Sequence, residues 1–521
     1  MSSVKTTSEG ALAHTIGKNT IFGVLARVTQ AATRLVTVPV VIAHLGLGGY
    51  GIWAIIMTAA AYMRFGSIGI KSAFQKYVAE ATGNGDYERA NQLLSTGSAA
   101  MLGLSLLCLV PISLCSRALA HAVGVPPEFL RSAAGAISML AVIMVLSNFG
   151  AAFEAIIMGG HRIDIARKFT TMFTVGEAIG IIAVLHFGYG LFAMAVVMGI
   201  SEVGFVGCCY VEAKKVVPQI HLARKYVTRS VFHELLRFAG SYQLVNIMEV
   251  VYGAIVPIAF LRVFGDEAAG VYALAYRLQN SALMLPDAFL LPILSSAALL
   301  YSSGTTEKLY RLITKAFKVT LALTFFPLAF LAVFGNRIVL AWTGQAPEKL
   351  GITLLWLCVT GFFWSFSILA LVLYRSSGRA LHDNIRQVVR IVMLFCVAIS
   401  APKLGYDKVL IGLAFTEFVG MVLMLFAIEK AYHGFDVRSL LPDTVRLVTA
   451  SLVTLACGFA LSYLPVHLAS SHRMQATTQL ALAAIGCVLA LGPALWFTKS
   501  ITKEEQKALA RTLVPGSFRA A

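Results

Sequence analysis

The sequence predicts an all-α, polytopic membrane protein with about fourteen transmembrane helices, on three observations. First, 58% of the 521 residues are hydrophobic and only 13% are charged, with a mean hydropathy of +0.79. A soluble domain holds roughly 45–50% apolar and about 25% charged residues. Second, apolar runs of about 20 residues, the length that crosses a bilayer as a helix, recur along the whole chain. No long hydrophilic stretch is left over to fold outside them. Third, the lysines and arginines are distributed very unevenly between alternate connections.

The candidate spans cover residues 19–44, 48–70, 93–115, 133–157, 169–187, 190–212, 236–262, 268–300, 313–334, 350–374, 387–401, 406–428, 445–465 and 475–498. The run at 387–401 is short. The run at 268–300 is long and interrupted by Pro286 and Pro292, which predicts a kinked or tilted helix. The polar start, Met1 to Lys18, leads into an apolar run too long for a signal-peptide core, so no cleaved signal is expected.

Of the 42 lysines and arginines, thirty fall in the even-numbered connections and termini or the first and last turns beside them, eight in or beside the odd-numbered connections, and four deeper inside spans. The eight on the odd side include Arg337; the thirty include Arg386 and Arg390. By the positive-inside rule both termini are cytoplasmic, which requires an even number of spans. The net charge of +17 is thereby a topology signal, and no nucleic-acid partner is expected. The outer connections are short, the longest being 116–132, so no outer domain exists to hold a catalytic centre. The inner connection 213–235 is the largest and is basic, and 71–91 reads as an amphipathic helix on the cytoplasmic surface.

The eight cysteines lie in apolar stretches, without a CxxC pair or zinc-type Cys/His spacing. There is no P-loop, no HExxH and no GxGxxG after a strand. These absences predict no metal, no cofactor and no enzymatic activity. Any work done would draw on an Na⁺ or H⁺ gradient or on consumption of the substrate.

Residues 45–54 (LGLGGYGIWA) and 264–273 (FGDEAAGVYA) share the pattern [LF]-G-x4-G-[IV]-[WY]-A at an offset of 219. Each copy joins a long span to the next, and spans 1 and 7 would both run outward. Parallel repeats of this kind are related by an axis along the membrane normal and hold the substrate site at their interface.

Span 1 carries Arg27 and Arg34 on one helix face, with Gln30 between them. A charge at the bilayer centre costs about 2.5–3.5 kcal/mol on insertion scales, so it should face protein or water. Two arginines on one stripe predict a cationic interior wall. The repeat offset carries Gly23, Arg27, Gln30 and Arg34 onto Tyr242, Asn246, Glu249 and Gly253 of span 7, again a polar face. Arg64 lies toward the inner end of span 2, and Arg277, Asn280 and Asp287 lie along span 8. Glu177 shares a face of span 5 with Thr170 and Thr174, and Glu154, Glu202 and Glu417 sit in or near the ends of spans 4, 6 and 12. The substrate-binding candidates are Arg27, Gln30, Arg34, Arg64, Asn246, Arg277 and Asn280. Glu249, Asp287 and Glu177 are the candidates for ion coupling, with neutralisation of a nearby arginine as the alternative for Glu249 and Asp287.

The segments LGLGGYGIWA and GSIGIKSAFQKYVAEATGNGDYERA (66–90), with ELLRFAGSY (234–242) and FGDEAAGVYALAYRL (264–278), resemble the bacterial oligosaccharide flippases. These belong to the multidrug/oligosaccharidyl-lipid/polysaccharide exporter superfamily. The resemblance implies two six-helix bundles around a central cavity, taken as 1–235 and 236–440, with helices 13 and 14 and a cytoplasmic tail in 441–521. It also implies flipping of an undecaprenyl-pyrophosphate-linked oligosaccharide across a bacterial inner membrane, with polysaccharide polymerase and chain-length proteins as further partners. Family members have a cationic cavity, and Arg27, Arg34, Arg64 and Arg277 fit that pattern. The alternatives are a lipid II flippase, whose arginine-rich signature is not seen, or a drug or cation antiporter, which calls for an acidic cavity. A polymerase or ligase would need a sizeable outer loop.

Overall fold

The structure, a computed structural model, describes residues 9–63, 85–159, 162–376, 381–431, 438, 440–464 and 471–498. Among the described residues the regular elements are all helices. In chain order the α-helices are α1 (Glu9–Met63), α2 (Tyr87–Leu114), α3 (Ser116–Val123), α4 (Pro127–Gly159), α5 (Ile163–His186), α6 (Leu191–Val216) and α7 (Arg229–Phe264). They continue as α8 (Asp266–Ser302), α9 (Thr306–Thr343), α10 (Leu350–Ser376), α11 (Leu381–Leu404), α12 (Tyr406–Ala431), α13 (Leu440–Ser462) and α14 (His472–Phe497).

The 55-residue α1 is two helical arms meeting at Gly46, whose φ of 70° and ψ of 175° no other residue type adopts readily. It therefore carries the first expected span and the described part of the second, up to Met63. Among the described residues, eleven stretches are long and apolar enough to cross a membrane by length and composition. The outward-facing side chains are those of a lipid-solvated body: Leu107, Leu114, Val488 and Phe497 are each more than 70% exposed. This is a multi-pass membrane protein.

The chain forms two compact units, Met1–Gly270 and Val271–Ala521. In the first, the ends of α2, α4 and α6 that adjoin the 6–7 connection close on a core of Leu93, Leu94, Ile157, Val206 and Cys209. Val231 and Leu235, the first turns of α7, complete it. The basic connection before α7 is tied to the start of α2 by polar side chains. Asn91 donates to the Gln219 carbonyl and accepts from the His221 amide. Ser95 accepts from the Ala223 amide and Thr96 from the Thr228 amide, and Arg89 pairs with Glu234.

In the second unit Ile313, Phe317, Leu373, Tyr374 and Ile428 form the main core. The paired helices α13 and α14 pack on α9 through Phe334, Leu455, Ala483 and Cys487. Arg337 reinforces that seam. It donates to Ser462 Oγ at 2.6 Å and lies 5.1 to 5.9 Å from the ring centres of Phe334, Phe459 and Tyr463. Arg473 donates to the carbonyls of Ala341 and Trp342, which the end of α9 leaves without helical partners.

Two expectations from the charge pattern change. Arg386 and Arg390 belong to α11, not to an inner connection, because α11 starts at Leu381. Arg337 belongs to α9, not to an outer connection.

Candidate functional site

On α1 the packing face is set by Val38, Val41 and Ile42, all buried. Arg34 points away from that face and is exposed, flanked by Leu35 and Val36 at 53% and 57% exposure. Gln30, one turn earlier, is half-buried. Thr33 and Thr37 return their hydroxyls to the helix's own carbonyls, so they make no demand on a neighbouring helix. The result is an exposed arginine within the apolar stretch Thr29–Ala59. Lipid solvates such a group poorly, and water or an anion solvates it well.

Helix α5 packs along α1, and His44 and His186 mark that seam with ring centres 6.5 Å apart. Glu177 is carried on α5, half-buried, so a carboxylate and the arginine stripe ride on neighbouring helices of one unit.

Helix α8 presents a second polar face. Gln279 is buried and donates to the Leu357 carbonyl, which turns Leu278, Gln279 and Leu283 inward. Tyr276, Asn280 and Ser281 are exposed, and Arg277 is half-buried beside them. Tyr276 stacks on Tyr272 with ring planes 11° apart. Tyr272 is itself buried, so the exposed part of this face is made by Tyr276, Asn280 and Ser281 with Arg277 beside them.

The side chains of Arg27, Asn246, Glu249 and Asp287 lie outside the described set, although helices α1, α7 and α8 carry their backbone. Arg64 lies outside the described residues, as does most of the segment 71–91.

Sequence reasoning missed a third polar group. Arg390 pairs with Glu417 of α12 through its Nε and reaches Gln387 Oε1 at 3.3 Å. Arg386, Gln387, Arg390 and Glu417 are all buried. The signal was present: an arginine four residues from another, followed one span later by a lone glutamate in an apolar run. Among the described residues no three His, Cys, Asp or Glu side chains gather to hold a metal.

A family model of polysaccharide biosynthesis proteins matches residues 16–305. No curated protein matches the chain in sequence. Among solved structures, an inward-facing multidrug resistance MATE family transporter of the MOP superfamily is 16% identical with a TM-score of 0.66, covering 77% of this chain and 96% of its own. The lipid II flippase MurJ in an inward closed conformation is 14% identical with a TM-score of 0.64, covering 92% and 98%. A MOP superfamily transporter from Pyrococcus furiosus, described as having a binding pocket of reversed polarity, is 16% identical with a TM-score of 0.57, covering 80% and 95%. At these identities the likeness carries the fold.

Proposed function

The chain belongs to the polysaccharide biosynthesis protein family, and from that premise we propose that it flips an undecaprenyl-pyrophosphate-linked oligosaccharide. Transfer runs from the cytoplasmic to the periplasmic leaflet of a bacterial inner membrane, feeding O-antigen, capsule or exopolysaccharide. Both termini are cytoplasmic in this reading, and the polymerase and chain-length proteins that use the product are its neighbours.

The observation that carries the proposal is the exposure of Arg34 inside an apolar span. A pyrophosphate is a compact dianion rich in acceptor oxygens. Guanidinium binds it with paired, charge-assisted hydrogen bonds that an ammonium does not reproduce. Arg27 and Gln30 extend that stripe, and Arg64 adds cationic charge at the inner end of the next span. Arg277, Asn280 and Tyr276 serve the saccharide or its phosphates from α8. Glu249, Asp287 and Glu177 are the carboxylates through which an Na⁺ or H⁺ gradient would act. The cationic stripe disfavours a cation-exporting role, and the work is transport without bond chemistry.

A deletion strain tests it. Lipid-linked repeat units should accumulate on the cytoplasmic leaflet while surface polysaccharide falls, and the plasmid-borne gene should reverse both. Normal export in the deletion strain would contradict the proposal.

A further inference from the structure

The two copies of the ten-residue motif, 45–54 and 264–273, fold alike and meet in space. The second residue of each is a glycine with the same unusual backbone: Gly46 at φ 70° and ψ 175°, Gly265 at φ 89° and ψ 176°. Both values lie in a region nearly reserved for glycine. Each glycine breaks one helix and starts the next, so each copy is a corner.

The corners touch through the second glycine that the two copies share, Gly51 and Gly270, and the contact lies inside the first compact unit. A Cβ added at Gly51 would fall 2.5 Å from the Gly270 nitrogen and 2.8 Å from the Asp266 carbonyl oxygen. A Cβ added at Gly270 would overlap the Leu47 carbonyl oxygen. Gly51 and Gly270 are equivalent positions of the motif, and so are Leu47 and Asp266. Each glycine therefore meets the same carbonyl of the other copy. Reciprocal contact of this kind is the mark of a twofold relation, here a local one between two corners of one chain. Backbone has replaced side chain at the crossing, as small residues allow where helices approach closely.

One to two turns from the crossing the packing is open. The second arm of α1 and the end of α7, with Ala120 of α3 and Ile137 of α4, enclose an apolar cavity of about 80 Å³, lined by Ile52, Ile56, Ile258 and Leu261 among others. The hydroxyl of Thr58 on its wall is turned to the Ala54 carbonyl. The contact is thus tight at a point and thin behind it, which suits a joint that opens.

We propose that the Gly51–Gly270 crossing is a latch that closes the outer end of the transport path and must part once in every cycle. The inference rests on the transport reading above and on the outer placement of the two corners. It assigns to the two glycines the task of letting the latch shut, since any side chain there meets backbone that has no rotamer to change.

A disulfide trap tests it. The Cβ that Gly48 would carry lies 3.3 Å from Asp266 Cβ, close to the ~3.5–4.5 Å span of a disulfide. In a background cleared of the eight native cysteines, Gly48→Cys with Asp266→Cys should cross-link on oxidation. The cross-linked protein should lose export at least tenfold and regain it with reductant. The half-pairs Gly48→Cys/Asp266→Ala and Gly48→Ala/Asp266→Cys should export equally well with or without oxidant. Adding Gly51→Ala or Gly270→Ala should cut the cross-link yield severalfold at normal membrane abundance. Cross-linked protein that exports at the rate of the half-pairs overturns the latch. So does failure of the pair to cross-link in an abundant, exporting protein.

If the half-pairs restore no polysaccharide to the deletion strain, the cargo assignment fails and the latch is judged by distance alone. Spin labels at His44→Cys and Glu267→Cys, both exposed beside the crossing, should then show a short and a long separation in membranes. A single short separation under every condition overturns it.

Discussion

Arg34 on α1 and Arg390 on α11 are both guanidiniums within apolar, membrane-length stretches, and they differ in burial. Arg34 is exposed, with its own helix satisfying the nearby threonines. Arg390 is 7% exposed and locked to a glutamate that is wholly buried. The same costly group is used in two ways. Where the charge is neutralised inside the bundle, it fixes α11 against α12. At Arg34 the side chain is exposed, the setting that the proposed ligand contact requires.

The comparison breaks most sharply at Glu417. Glu417→Ala strands the Arg390 charge in the interior, which costs about 3–5 kcal/mol when one partner of a buried pair is removed. The variant should nearly vanish from membranes by immunoblot. Arg390→Met with Glu417→Leu removes both charges together and should restore abundance to within about twofold, because apolar replacement of a buried pair is often neutral. Arg34→Ala should do the reverse. Export should fall about ten- to a hundredfold, equivalent to about 1.4–2.8 kcal/mol, with abundance unchanged. Arg34→Lys should recover part of the loss if paired hydrogen bonding matters and all of it if charge alone does.

Arg337 lies between these cases, a half-buried guanidinium held by aromatic rings and a serine. Arg337→Ala should loosen the seam between α9 and the α13–α14 pair by about 1–2 kcal/mol, in line with partly desolvated cation–π contacts. A lower thermal midpoint in detergent, with export retained at low temperature, is the expected result. Arg277→Ala should have the smallest effect, about threefold on export, equivalent to roughly 0.6 kcal/mol, since Tyr276 and Asn280 remain on the same face.

Much of this was legible in the sequence. Hydropathy marked the spans because lipid-facing helices carry apolar residues all round, and the paired motif anticipated two corners that Gly46 and Gly265 build with one backbone. What hydropathy cannot see is pairing. Arg386 and Arg390 cut an apolar window when scored one residue at a time, so α11 read as a short run beginning at 387, although Glu417 neutralises Arg390 from the next helix. Arg337 read as a loop cation for the same reason; its ring and serine partners lie more than a hundred residues away or one turn back. The polar stripe on α1 was legible from heptad spacing, whereas its exposure depends on which neighbours pack against Val38, Val41 and Ile42.

The central claim is that the exposed arginine on α1 carries a pyrophosphate-linked saccharide through the membrane. It is tested most directly with purified protein in liposomes containing undecaprenyl-pyrophosphate-linked oligosaccharide, under an imposed ion gradient. The readout is the fraction of saccharide open to a membrane-impermeant glycosidase. The native protein should bring the shielded fraction into reach, and the Arg34→Ala protein, reconstituted to the same density, should leave it shielded. Equal transfer by the two proteins, or native transfer no faster than in protein-free vesicles, would contradict the claim.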